Sequence, residues 1–383
     1  MTDSLIQFIR DTYQSNEFIP LHAPTFHGNE KKYVIDTIES TFVSSVGQYV
    51  DKLEHQIEKF TGTKKAVAVI NGTSALHTAL YMAGIKNDDL VITQAVTFVA
   101  TCNAIYHMGA APIFVDISLN TLGLCPKATE AYLEENTTFN ADGECIHRNS
   151  KQRIKAVLPM HTFGHPVELD ELLIVCKKFN LTLIEDAAES LGSFYKGKHT
   201  GTFGDYSAIS FNGNKIITTG GGGIVLCHSK KAGARTKHIT TTAKQPHAFE
   251  FFHDEPGFNY RMPNINAALG CAQIEVLAEL LGQKRLLANH YQDFFKNSEF
   301  KFVVEPENCK SNYWLNAIIC PDEQSRNALL EQTNKAAVMT RPVWKLMHHL
   351  PMFTNNFKGP LTNSEFIETR LINLPSSAIG ELL

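Results

Sequence analysis

The sequence predicts an α/β protein: a large domain on a mostly parallel, doubly wound sheet, followed by a smaller α+β domain. Three observations carry this prediction. Short apolar runs of β-like composition alternate with segments of helical pattern from Lys65 to Cys227, as expected of parallel strands joined by helical crossovers. Past Gly257 the alternation weakens, so a second domain is expected to begin near residue 255. With 383 residues, 43% of them hydrophobic, the chain is long enough to bury one large core and a smaller one. The expected division is an N-terminal segment, 1–30, packing on the small domain, then a large domain over 31–255 and a small one over 256–383.

The first unit is a strand over Lys65 to Ile70, a turn at Asn71-Gly72-Thr73-Ser74 and a helix of small and apolar residues from Ala75 to Ala83. A strand over Leu90 to Thr93, a helix over Val99 to Met108 and a strand over Ala111 to Ile117 follow. Lys155 to Pro159, Leu181 to Glu185 and Tyr206 to Phe211 extend the series. Gly223 to Cys227, behind a run of glycines, reads as an antiparallel addition. A single long helical stretch is expected from Asn264 to Leu287.

Charge and cysteine usage exclude several classes. A formal net charge of -4 and a pI near 6.5 leave no electrostatic footprint for nucleic acid. The eight cysteines form neither a CxxC pair nor a short-spaced framework and read as reduced, packed thiols. Asp3, Arg10 and Asp11 interrupt the N-terminal apolar residues, and no run is long enough to span a bilayer, so a soluble cytoplasmic protein is expected.

Three motifs carry chemistry. Asn71 to Ser74, between a strand and a helix, is either an N-capped turn or a phosphate cradle, where backbone N–H groups at the positive end of a helix meet an anion and Gly72 permits close approach. Asp186 closes an apolar strand, where a carboxylate is costly without a partner. That partner is a helix cap, a core hydrogen bond or a protonated ring nitrogen. Lys215 follows the run SAISFNGN and precedes four glycines within a few residues; it is either a solvated loop lysine or an amine delivered to a ligand. A carboxylate and an amine at the ends of neighbouring strands suit a site that grips a pyridinium and forms a Schiff base.

Two other patterns lead away from metals and nicotinamide. His161 and His165 have HxxxH spacing, but Gly164 and Pro166 argue against the helix that would bring their rings to one metal ion. Gly220 to Gly223 lacks GxGxxG spacing and precedes a strand rather than a helix.

Taken together, NGTSAL at Asn71 to Leu76, TFVATCNAI at Thr97 to Ile105, EDAAES at Glu185 to Ser190, SFNGNK at Ser210 to Lys215 and GFNYRM at Gly257 to Met262 resemble, in order and spacing, the sugar-nucleotide aminotransferases. These are fold-type-I enzymes dependent on pyridoxal 5'-phosphate (PLP). The resemblance covers nearly the whole chain and implies roles: Lys215 as the Schiff-base lysine, Asp186 as partner of the ring nitrogen and Phe98 stacked on the ring. It implies Gly72, Thr73, Ser74 and Ser210 around the phosphate, and Asn259 reaching the phosphate of a neighbouring subunit, hence a homodimer with shared sites.

The resemblance also exposes departures. Glu189 stands where many members have glutamine or histidine, and beside the cofactor's 3-oxygen it would need a shared proton. Gly221 stands where many have glutamate. With TRPVWKLMHHLPMF at Thr340 to Phe353, these features are similar to the branch acting on UDP-linked 4-keto-6-deoxy-N-acetylhexosamines, with His348 and Arg341 as candidate substrate contacts. The implied activity is transfer of an amino group from L-glutamate, through pyridoxamine 5'-phosphate, to C4 of the keto-sugar for surface glycan synthesis. Alternatives are amination at C3 of a dTDP-linked keto-sugar, or a non-catalytic regulatory paralogue. The sugar dehydratases of this fold carry histidine where this chain has Lys215.

Overall fold

A computed structural model describes residues 1–379. Its centre is a seven-stranded sheet of β1 (Lys65–Val69), β2 (Leu90–Gln94), β3 (Ala111–Val115), β4 (Ile154–Leu158), β5 (Thr182–Asp186), β6 (Tyr206–Ser210) and β7 (Gly223–Cys227). Their order across the sheet is β1-β7-β6-β5-β4-β2-β3. β7 is antiparallel to both neighbours, and the remaining pairs are parallel. The α/β fold and the antiparallel β7 are as the sequence predicts, with strand ends moved by a residue or two.

The strands read as unbroken apolar runs because both faces of the sheet are covered. Successive residues alternate between cores: Val69, Val91, Ala156 and Val225 face one helical layer, while Ala68, Ile92, Val157 and Ile224 face the other side. The helix after β1 begins earlier than expected, at Gly72 rather than Ala75. Asn71 caps it, its side-chain oxygen accepting from the Ser74 amide at 2.7 Å, so the predicted turn is the helix's own first turn.

The single helix expected over Asn264 to Leu287 is two, Asn264–Glu275 and Leu277–Phe295, bent by 60°. The halves serve different cores. Ala267, Ala268 and Cys271 pack beside Leu53 and Ile57 of the helix Gln48–Thr61, whereas Leu287, Tyr291 and Phe295 join Leu5 and Ile9 of the N-terminal helix and Ile318, Ile372 and Leu374. Those last three belong to an antiparallel sheet ordered Lys301–Phe302, Asn316–Ile319, Leu371–Leu374 and Arg341–Pro342. No single helix among the described residues is long and apolar enough to cross a membrane.

Candidate active site

The C-terminal ends of the parallel strands converge on one cavity, where open α/β sheets place their ligands. β1 delivers Asn71, Gly72 and Thr73; the segment after β2 delivers Phe98; β4 leads to Met160; β5 delivers Asp186 and, beyond it, Glu189; and β6 delivers Ser210 and the turn with Lys215. Two tryptophans, Trp314 and Trp344, come in from the C-terminal elements.

Asp186 is 2% exposed. Its Oδ2 accepts from Thr101 Oγ1 at 2.7 Å and its Oδ1 from the Ala188 amide at 3.1 Å, so its hydrogen bonds come from neutral donors. Burial pushes this carboxyl above the usual range, against the pull of those two bonds and of Lys215. A carboxylate so buried and facing a cavity calls for a cationic partner.

Lys215 Nζ lies 3.3 Å from Glu189 Oε1 and 3.9 Å from the centroid of the Trp314 ring. The other oxygen of Glu189 accepts from the Phe163 amide at 3.0 Å. Burial outweighs both attractions and drives the Glu189 carboxyl up to about 7, so near neutrality this group can hold or share a proton. Trp314 is fixed in turn: its Nε1 donates to the Asn214 carbonyl at 2.6 Å, its amide to Asn312 Oδ1 at 2.8 Å, and its carbonyl accepts from the buried Lys284 at 3.2 Å.

At the other end of the cavity the helix Gly72–Met82 presents its N-terminus. A Cβ on Gly72 would come within 2.8 Å of Ser210 Cβ, so glycine lets β6 and the helix close up and bring Ser210 Oγ beside the helix start. Amide and hydroxyl donors with a helix dipole behind them suit a phosphate. A phosphate cradle, a buried carboxylate bonded only to neutral donors and a lysine in one cavity fit PLP.

This chemistry agrees with the comparisons. The model of the DegT/DnrJ/EryC1/StrS aminotransferase family matches residues 24–379. The chain belongs to that family. It is 36% identical to GDP-perosamine synthase of Escherichia coli O157:H7, over 94% of this chain and 93% of the other, and 35% identical to that of Vibrio cholerae, over 94% of each. Among solved structures it is similar to Helicobacter pylori PseC, an aminotransferase involved in the biosynthesis of pseudoaminic acid, with a TM-score of 0.83 and 26% identity over 94% of each chain. The protein is therefore a PLP-dependent sugar aminotransferase with the fold-type-I architecture.

Of the residues singled out in the sequence, Gly72, Thr73, Phe98, Asp186, Glu189, Ser210 and Lys215 line the cavity, and Ser74 lies in the first turn of the same helix. Asn259 is exposed and does not line its own chain's cavity, its Oδ1 accepting from Arg261. Arg341 is exposed and donates to Asn334 Oδ1 and the Thr340 carbonyl, each at 2.8 Å. His348 is buried against His349, ring centroids 4.0 Å apart, and burial pushes it down to about 4. Neither Arg341 nor His348 lines the cavity; Trp344 is the residue of that segment that does. The HxxxH histidines turn apart: His161 bonds Glu185 at 3.0 Å in full burial, while His165 packs edge-on against Tyr313.

Sequence reasoning missed Thr101, Met160, Trp314 and Trp344. Two signals were available. Trp314 and Trp344 are the chain's only tryptophans, and Thr101 lies one helical turn beyond Phe98 inside the TFVATCNAI motif.

Proposed function

We propose that this aminotransferase moves the amino group of L-glutamate to C4 of a UDP-linked 4-keto-6-deoxy-N-acetylhexosamine, for a sugar of a surface glycan. The observation that carries the catalytic half of this reading is the buried Asp186 carboxylate in one cavity with the Lys215 amine. Bound PLP supplies a carbonyl that takes up the amine and a pyridinium that withdraws electrons. Asp186 keeps the ring nitrogen protonated, and Phe98 packs on the ring face. Gly72, Thr73, Ser74 and Ser210 hold the phosphate. Lys215 Nζ anchors the cofactor and, once released, carries the proton from the donor's α-carbon. Glu189 shares a proton near the cofactor's oxygen, and its carboxyl, driven up to about 7, supports that role.

The same reading makes the enzyme a homodimer, with Asn259 of each subunit turned toward the other's phosphate. The segment before it supports this: Phe249, Phe251 and Phe252 are 80%, 81% and 61% exposed, an apolar surface expected to be covered by another chain.

The names of the two GDP-perosamine synthases favour a second reading, a GDP-linked keto-sugar as acceptor. The deciding experiment gives the glutamate-treated enzyme a panel of UDP-, GDP- and dTDP-linked 4-keto-6-deoxy sugars and 3-keto sugars, and reads product masses and NMR couplings. Amination of the UDP-linked N-acetylated 4-keto sugar is expected. Reaction with the GDP-linked sugar alone would establish the second reading, and reaction with dTDP-linked 3-keto sugars alone would exclude both.

A further inference from the structure

Four glycines follow the Lys215 turn, and the structure accounts for three of them. Gly220 has φ +78°, in the left-handed region. A Cβ on Gly222 would sit 2.1 Å from Thr219 Oγ1 and 2.8 Å from Met262 Cε, and one on Gly223 would sit 2.6 Å from the Asn71 carbonyl oxygen. Gly221 has neither reason. Its φ is outside the left-handed region, and a Cβ there would meet a single atom within 4 Å, the Ile70 carbonyl oxygen, at an ordinary 3.8 Å. Mobility does not explain it either, because its carbonyl is pinned by Thr219 Oγ1 at 3.0 Å and Asn266 Nδ2 at 3.2 Å. By backbone and packing alone, alanine here would stabilise the fold by restricting the unfolded chain.

The room beside Gly221 opens into the cavity that holds Lys215. The Ile70 carbonyl oxygen borders it and accepts no hydrogen bond from a described residue. An acidic side chain at 221 would extend into this room and add a third carboxyl to a cavity already lined by Asp186 and Glu189. We propose that Gly221 is a specificity-determining residue: it leaves room for a neutral ring substituent of acetamido size, whose N–H donates to the Ile70 carbonyl. A hydroxyl in its place fills less of the room and makes poorer use of the acceptor. This inference rests on the reading of the substrate as a UDP-linked N-acetylated sugar.

The test is calorimetric binding of UDP-N-acetylglucosamine and UDP-glucose, neither of which carries a ketone to react, to the cofactor-loaded full chain. Wild type is expected to prefer the acetamido sugar. Gly221→Glu is expected to weaken UDP-N-acetylglucosamine by about tenfold or more, as filling a substituent pocket does, and to leave UDP-glucose nearly unchanged. Gly221→Ala, whose Cβ fits without strain, should move the same preference in the same direction by less. Equal losses for both sugars, or none for either, overturn the assignment. So does loss in Gly221→Ala of the visible cofactor band or of oligomer mass by light scattering, since the room then belongs to the cofactor or to a partner subunit. Wild type that bleaches with glutamate but binds neither probe refutes the UDP-sugar reading itself, and the inference falls with it.

Discussion

The Lys215 amine and the Glu189 carboxyl meet at 3.3 Å inside the cavity, yet burial leaves Glu189 with a carboxyl near 7 rather than a firm anion. Where many relatives by resemblance have glutamine or histidine, this chain holds a group that is charged or neutral according to pH. The pair sits where Trp314 closes one side, so solvent screens it little.

The Glu189 shift has a sign. A glutamate whose carboxyl is raised on folding, here from an ordinary 4.5 to about 7, contributes stability that is complete below 4.5 and is lost as pH rises through 7. Glu189→Gln cannot titrate there. Between those limits the thermal midpoint of wild type, freed of cofactor, is expected to fall relative to the glutamine variant as pH rises. Parallel curves over that window would show that Glu189 titrates normally.

Lys215→Ala is expected to remove the visible absorbance of the cofactor-loaded enzyme and to slow its reaction with glutamate by at least about 10²–10⁴-fold, the range for losing a positioned proton carrier. Rapid-mixing spectroscopy with glutamate reads both. A variant that turned over at the wild-type rate would exclude Lys215 from the chemistry.

Asp186→Ala should retain some cofactor through the phosphate cradle while losing most of the rate, because nothing then holds the ring nitrogen protonated. Thr101→Val removes the 2.7 Å bond to Asp186 Oδ2 and leaves the carboxylate in place. One hydrogen bond to a charged group is worth about 1.5–3 kcal/mol, so roughly a tenfold or larger fall in kcat is expected. Single-turnover rates with glutamate check both variants, and an unchanged rate in Thr101→Val would show that this bond does not support Asp186.

Gly72→Ala drives a methyl group into Ser210, 2.8 Å from its Cβ. Overpacking of this kind costs about 1–3 kcal/mol. A lower thermal midpoint with weaker cofactor retention on dialysis is the expected result. Thr73→Ala, which adds no atoms, should weaken retention with little change in midpoint, and a large midpoint loss there would place Thr73 in the fold's support instead.

The sequence determined the central sheet and the candidate site residues on it because both are local. Short unbroken apolar runs mark strands buried on both faces, and Asp186, Ser210 and Lys215 sit at or past strand ends whatever the later packing. The Asn71 cap and the bend at Val276 were less legible. A cap depends on which side chain reaches the free amides, and the bend exists because two halves of one helical pattern bury against different cores. The C-terminal side of the site was the least legible. Trp314 and Trp344, rather than Arg341 or His348, reach the cavity through packing between segments far apart in sequence. The four glycines make the same point. As letters they are equivalent, and only the neighbours of each Cβ position separate the three that the fold requires from Gly221, which it does not.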